Sequence, residues 1–395
     1  MIREPKTPLL EPPVVRIQQL VFSEAVRLSA SDIHVDPGDR FTRIRFRVDG
    51  RMQEGFEIPG WLHDRLLARI KIMARLDISE RRLPQDGHLA DRERGLEARL
   101  STLPTHRGEA AVIRLFGGGS SLPTLADLGG RDSMEDQLRV LCHRPQGILL
   151  VVGPTGIGKT TTLYAIIDEL RSSPLNIVTI EDPIEYRVDG IRQVQVDDRS
   201  GLSFEASLRS ILRQDPDVIL VGEIRDGETA RIAFNAALTG HLVLSTLHAT
   251  DTASAVVRLV ELGVDRYLVS SALIGVIAPR LVRRNCPNCL RPDSAPTQYG
   301  ERLGLDAAEH RNLRRSYGCV KCRFTSCAGR VALFEMLEIS ERIRPHIAGG
   351  REDEFMKVAR NMGFVSLLDQ AIDLVLAGDV SVEEAYRTCY FGDAR

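Results

Sequence analysis

The sequence predicts an α/β protein organised around a parallel sheet, and two observations carry that expectation. Short apolar runs at 148–152, 177–180, 218–221 and 242–245 alternate with helix-forming segments, the pattern of a sheet covered on both faces. The first run, ILLVV, leads into Gly153-Pro-Thr-Gly-Ile-Gly158-Lys159-Thr160 and then into TTLYAIIDEL. That is a GxxxxGK[ST] phosphate loop in its required setting, strand before and helix after.

The chain has 395 residues, enough for two or three domains, each with its own core. A net charge of −2 excludes a global basic field for nucleic acid or an anionic surface. No apolar run reaches the ~18 residues that a membrane span needs. The opening MIREPKTPLLEPP is polar and Pro-rich, without a signal-peptide core. The expectation is a cytoplasmic protein, recruited to any membrane through partners.

In chain order, 1–13 reads as a flexible arm and 14–28 as a helix. Residues 43–48 alternate charged and apolar side chains and meet Asp49-Gly50, a strand ending in a turn. Residues 61–76 read as an amphipathic helix, and 96–100 and 110–116 as two more strands, giving a small α/β domain over 14–116. The run GGGSS at 117–121 is the clearest flexible joint, read as a hinge linker over 117–130 or as a plain surface loop. The sheet domain then spans 131–395. Within it, 284–330 holds two CxxC pairs and 331–395 reads as a helical tail, with Ser381-Val-Glu-Glu384 as a capping box. No internal repeat is present.

The loop glycines let backbone N–H groups turn towards phosphate oxygens, and the following helix N-terminus adds partial positive charge. Gly153, Pro154, Thr155, Gly156, Gly158, Lys159, Thr160 and Thr161 are therefore the expected nucleotide contacts. Lys159 reaches the β- and γ-phosphates, and Thr160 offers its hydroxyl to Mg²⁺. The run DVILV at 217–221 ends in Gly222-Glu223, a carboxylate at a strand's C-terminal end, where α/β sheets bind ligands. Asp217 lies at the wrong end of that strand, so Glu223 is the candidate to polarise the attacking water. Glu181, Asp182 and Glu185 follow another apolar run; alone they would be a solvated loop, but beside a phosphate loop they are candidates for positioning metal-bound water. His248, at the end of the 242–247 run, is placed to sense the γ-phosphate. His241 reads equally well as a structural residue.

Cys286, Cys289, Cys319 and Cys322 form two CxxC pairs separated by 29 residues. In a reducing compartment this favours a bound metal over disulfides.

Together these segments resemble the secretion ATPase superfamily, in its branch of type II secretion and type IV pilus-assembly ATPases. The resemblance rests on ASDIHVDP (30–37), RIRFRVDG (43–50), LPQDGH (83–88), LEARLSTLPT (96–105), GPTGIGKTTTLY (153–164), TIEDPIEYRVDGIRQVQV (179–196), LRSILRQDPDVILVGEIRDGETA (208–230), ALTGHLVLSTLHATD (237–251) and GRVALFEMLEIS (329–340). It covers roughly 15–390, with the motifs in family order.

The resemblance implies a RecA-like ATPase domain preceded by a PAS-like domain, a homo-hexamer, and arginine fingers at Arg99 and Arg114 closing on the γ-phosphate. Without it, those two would read as surface ion-pair arginines. Arg225, Arg280 and Arg283 also match family arginines. The cysteines match a structural zinc site, with Cys327 near enough to leave the fourth ligand open. Retraction ATPases lack that insertion, so its presence points to an assembly motor.

Departures from the family pattern are His88 for Arg, Ala111 in a segment usually basic near Ala110, Ala249-Thr250 for Thr-Asn, and Pro279 for Gln. Many relatives carry a further N-terminal domain that docks on an inner-membrane platform protein; about 15 residues precede the first domain here, which implies that recruitment does not use that domain. The expected partner is the platform itself, with no nucleic acid, at the inner face of the cytoplasmic membrane. The competing readings are a type IV secretion or conjugation relative, a nucleotide-gated scaffold that does not hydrolyse, and a nucleic-acid-binding cysteine ribbon. The neutral charge balance opposes the first, and the lack of interleaved aromatics opposes the last.

Overall fold

The computed structural model describes residues 12–91, 96–116, 122–197, 200–293 and 298–389. The chain divides into two compact units, Met1–Ser121 and Leu122–Arg395. The GGGSS joint and most of the expected N-terminal arm lie outside the described residues.

The first unit is an antiparallel sheet of β1 (Asp32–Asp36), β2 (Phe41–Val48), β3 (Arg51–Pro59), β4 (Gln85–Asp91), β5 (Leu96–Thr105) and β6 (Gly108–Phe116), in the order β3-β2-β1-β6-β5-β4. The β2–β3 hairpin turns at Asp49 and Gly50, with φ of 48° and 75°. This is the doubly positive turn that Asp-Gly favours and that matches strand twist. The helices Pro13–Arg27 and His63–Met73 supply Val21, Phe22, Leu66 and Ile70 to a core shared with Ile33, Ile44, Phe46, Leu100 and Ile113. The second helix ends at Met73, three residues short of the expectation. Beneath the sheet Lys71 Nζ lies 2.6 Å from Glu109 Oε1, both side chains nearly inaccessible.

The opposite face of this sheet carries charge. Cross-strand register sets Arg47, Asp32, Arg114, Arg99 and His88 in one row across five strands. Side chains directly opposite each other in a sheet share a face. Asp32, 6 % exposed, holds the row together: Arg114 lies 3.0 Å from one of its oxygens and Arg47 3.6 Å from the other.

The second unit contains β7 (Gly147–Val152), β8 (Ile177–Glu181), β9 (Arg192–Gln195), β10 (Val218–Val221), β11 (Leu242–Leu247), β12 (Leu273–Asn285), the short ribbon β13 (Leu290–Pro292) and β14 (Arg314–Ser316), and β15 (Cys327–Glu338). The main sheet runs β15-β12-β7-β11-β10-β8-β9. All its neighbours are parallel except β12–β15. The expected parallel sheet is therefore mixed at one edge, and residues 331–338, at the head of the segment read as a helical tail, lie in strand β15. Along β7, Ile148, Leu150 and Val152 join one core layer while Leu149 and Val151 join the other. Burial on both sides is why these strands read as unbroken apolar runs.

Pro279 lies inside β12, where proline normally breaks a ladder. It falls after the last residue paired with β7, Ile277. Across the other side, its partner Phe334 directs its N–H and C=O to the Gln370 amide. The missing N–H thus falls where no strand waits for it. At the C-terminal helix Val382–Cys389, Ser381 Oγ accepts from Glu384 N at 3.3 Å, half of the expected capping box. The Glu384 carboxylate instead takes the Arg283 guanidinium through two bonds of 2.9 Å.

Candidate functional site

β7 ends at Val152, the loop turns through 153–158, and the helix Lys159–Leu170 begins. Gly153, Gly156 and Gly158 have φ of 141°, 81° and 103°, conformations that L side chains rarely adopt. A Cβ at Gly153 would also lie 2.6 Å from the Arg280 guanidinium. Lys159 Nζ donates to the carbonyls of Gly153 (2.6 Å) and Pro154 (3.0 Å), so its ammonium lies across the mouth of the loop. Burial holds that ammonium below the ordinary lysine range; Glu223 opposes the shift and Arg280 adds to it. Positive-φ glycines, a helix N-terminus and a cation over the loop form a donor set that fits a nucleotide's phosphates.

The ends of three parallel strands meet beside this loop. The cleft there is lined by Thr155, Lys159, Thr160, Glu181, Glu185, Glu223 and His248. These seven sequence-derived candidates are thereby brought together, and Asp182 and Arg225 line the same cleft. Thr160 lies one residue into the helix, where its hydroxyl could serve Mg²⁺ along with carboxylates of the cleft.

Glu223 follows β10 after Gly222. A Cβ at Gly222 would approach the Ile180 carbonyl to 3.2 Å and Glu181 Cα to 3.4 Å, so glycine there lets the β8 and β10 ends stay close. Thr246 Oγ1 donates to Gly222 O at 2.8 Å, and Ile224 N donates to Thr246 O at 2.9 Å. This clamp fixes the segment that carries Glu223. Its carboxylate is 19 % exposed and bracketed: one oxygen pairs with Arg225, and the other lies 3.3 Å from His248 Nε2. Arg225 also reaches Asp182 at 3.5 Å.

Glu181 closes β8 and is buried. Tyr164 Oη donates to its Oε2; Thr179 Oγ1 donates to Oε1 at 2.6 Å, and Gln193 Nε2 to the same oxygen at 3.3 Å. Burial, and then the adjacent Glu181 charge, push the Tyr164 phenol far up, so it remains a donor at every working pH. Asp217 accepts from Asn176 N at 2.7 Å, at the far end of β10. His241 Nδ1 lies 2.9 Å from Ala236 O, a structural contact at a helix end.

Tyr164, to which the sequence assigned no role, and Arg280, which it matched only to a family arginine, complete this site. Tyr164 was in the quoted loop motif, but its role follows only from where the helix places it. Arg280 is fully buried. It donates to Thr250 O, just past His248, and to Pro279 O at 2.8 Å, and thus joins the His248 loop to the underside of the phosphate loop.

Arg99 and Arg114 lie in the first unit as direct cross-strand partners. Both are about half exposed, with Asp86 3.5 Å from Arg99 and Asp32 3.0 Å from Arg114. His88, the departure beside them, faces Arg99 and lies 3.9 Å from Glu97.

The four cysteines converge at the base of the β13–β14 ribbon. Their sulfurs all lie within 4.8 Å of one another, with Sγ–Sγ separations of 3.9 Å (286–319), 3.9 Å (289–322) and 3.7 Å (319–322). Four thiolates about 2.3 Å from a tetrahedral Zn²⁺ stand about 3.8 Å apart, so the donor set fits zinc. Cys327 lies outside this group, paired in register with Asn285.

A glycine loop between a buried strand and a helix, with a fixed carboxylate on the next strand but one, defines a P-loop nucleotide-binding protein. A family model described as type II/IV secretion system protein matches residues 10–387, and the chain belongs to that family. Among relatives, type II secretion system protein E of Dickeya dadantii is 44 % identical over 95 % of this chain and 75 % of its own length. Type II secretion system ATPase E of Vibrio cholerae is 42 % identical over the same shares. Among solved structures, the pilus retraction motor PilT with bound ADP aligns over 94 % of this chain and 96 % of its own, with TM-score 0.67 and 28 % identity. The chain is thus an ATPase of the secretion and pilus class. No described helix is long and apolar enough to cross a membrane.

Proposed function

We propose that the protein is a hexameric motor that hydrolyses ATP with Mg²⁺ to drive assembly of a type II secretion pseudopilus or a type IV pilus. It would work at the cytoplasmic face of the inner membrane against a platform protein. The observation that carries this reading is Glu223, held at the end of β10 beside the phosphate loop between Arg225 and His248. A carboxylate so fixed can orient the attacking water and accept its proton. Lys159 and the loop amides hold the phosphates. When bound, Mg²⁺ would neutralise charge on the β- and γ-phosphate oxygens. Thr160 would hold the metal directly, and Glu181 and Glu185 would order its water.

Arg99 and Arg114, paired on the first unit's sheet, are assigned as the arginines that close on the γ-phosphate. That unit, an antiparallel sheet backed by two helices, is read as the PAS-like lever, hinged at 117–121. Zinc held by the four thiolates would fix the 284–330 insertion structurally. Similarity to protein E relatives and to a retraction motor supports this assignment.

Phosphate release by Glu223→Gln tests it. The variant should bind ATP as the parent does and lose about 10²–10⁴ in turnover, the range for removing a general base. Undiminished turnover would remove Glu223 from the mechanism. ATP binding without turnover in the parent protein would favour a nucleotide-gated scaffold.

A further inference from the structure

The segment that carries His248 is tied on both sides to one residue of the phosphate loop. Before His248, Leu247 O accepts from Gly153 N at 3.3 Å. After it, the Thr250 carbonyl takes the Arg280 guanidinium. That guanidinium also lies against Gly153, where a Cβ would stand 2.6 Å from Nη1. The Gly153 carbonyl, in turn, takes the Lys159 ammonium at 2.6 Å. The phosphate-binding lysine, the His248 segment and Arg280 therefore all meet at Gly153.

Arg280 is built as a strut between these parts. It lies on β12 and is 1 % exposed. Nη1 donates to Pro279 O at 2.8 Å, and Nη2 donates to Thr250 O. A guanidinium presents its donors in a rigid plane, so β12 sets the spacing between Gly153 and Thr250. Beyond Thr250 the chain is anchored as well. Thr250 N donates to Ser254 Oγ at 3.1 Å, and Asp251 caps the helix Thr252–Glu261 by accepting from Ser254 N at 2.7 Å. Buried Glu335 holds Thr252. Held between these anchors, His248 stands 3.3 Å from Glu223.

Burying a guanidinium is costly, and an apolar side chain could fill the same space in the core. The terminal nitrogens of Arg280 instead engage the His248 segment and abut the first glycine of the phosphate loop. We propose that Arg280 is a positioning residue for hydrolysis. It keeps the His248 segment in register with the phosphate loop, so that a loaded loop sets His248 against Glu223. This rests on the roles of Glu223 and His248 given above.

The test is a double-mutant cycle in ATP turnover by the full chain. Arg280→Lys keeps a cation but loses the planar fork. It should lower kcat about 10- to 100-fold, as a small misplacement of a reacting group can, with KM for ATP near the parent's. In a His248→Ala background the same substitution should change kcat by no more than about twofold, whereas independent effects multiply. Effects that multiply overturn the proposal and leave His248 in the mechanism. A loss confined to KM also overturns it, since Arg280 would then serve binding alone. His248→Ala with the parent's turnover removes His248 from the mechanism, and the proposal with it. Amide exchange in the parent chain gives a second readout that needs no substitution. ADP has no γ-phosphate to offer His248, so any effect on that segment must pass through the phosphate loop. Saturating ADP should slow exchange across 248–252 as well as across 153–158. Protection confined to 153–158 overturns the proposal, even where Arg280→Lys fails to fold.

Discussion

The Tyr164 hydroxyl donates to the buried Glu181 carboxylate and so links the phosphate-loop helix to the end of the neighbouring strand β8. Tyr164→Phe removes that donor and leaves Oε2 of a buried carboxylate without it. The expected cost is about 1–3 kcal/mol of stability, read as a lowered midpoint in chemical denaturation. Turnover should fall while ATP affinity stays near the parent's, because the phosphate contacts are untouched. Unchanged stability would mean that Glu181 finds another donor.

His248 stands 3.3 Å from the Glu223 oxygen that Arg225 leaves open. If this contact closes into a hydrogen bond in the transition state, it is worth about 1.5–3 kcal/mol. His248→Ala should therefore lower kcat about 10- to 100-fold and change KM little. A loss confined to KM would place His248 in ground-state binding.

Glu335 is buried under the helix that follows His248. It accepts from Thr252 N at 2.9 Å, from Thr252 Oγ1 at 2.7 Å and from Leu367 N at 3.1 Å. Burial raises its carboxyl above the ordinary 4.5, although those bonds oppose the shift. The folded chain therefore holds this proton more tightly than the unfolded chain. The stability so contributed is full below about pH 4.5 and is lost as pH rises through the raised value. Glu335→Gln does not titrate, so its stability relative to the parent should improve as pH rises from about 4.5. A difference that is flat with pH would contradict the shift.

The tetrathiolate cluster should take up one zinc per chain. Cys319→Ser breaks two of the closest sulfur pairs and should abolish stoichiometric zinc by metal analysis. Cys327→Ser, outside the group, should leave zinc content unchanged. The reverse pattern would exchange the two cysteines as ligands.

What the sequence disclosed was local. The phosphate loop was legible because strand, glycines and helix follow one another within 24 residues, 147–170. Glu223 was legible because a buried strand announces its own end. The hydrogen-bond partners of those residues were not: Tyr164 meets Glu181, and Arg225 meets Asp182, only after the sheet forms. β12 escaped because Pro279 and Arg280 interrupt its apolar run. The structure accommodates the proline past the last β7 pairing and buries the arginine against carbonyls. Glu384 looked like a cap because its neighbours suit one. Arg283, 101 residues earlier in the chain, takes its carboxylate instead.

The most direct test of the motor is ATP turnover per subunit measured against protein concentration, with Lys159→Ala as the blank. A ring motor should show a rate that rises cooperatively with concentration, as sites are completed between neighbouring subunits, and a blank without turnover. Turnover per subunit that is constant with concentration, or equal in the blank, would contradict it.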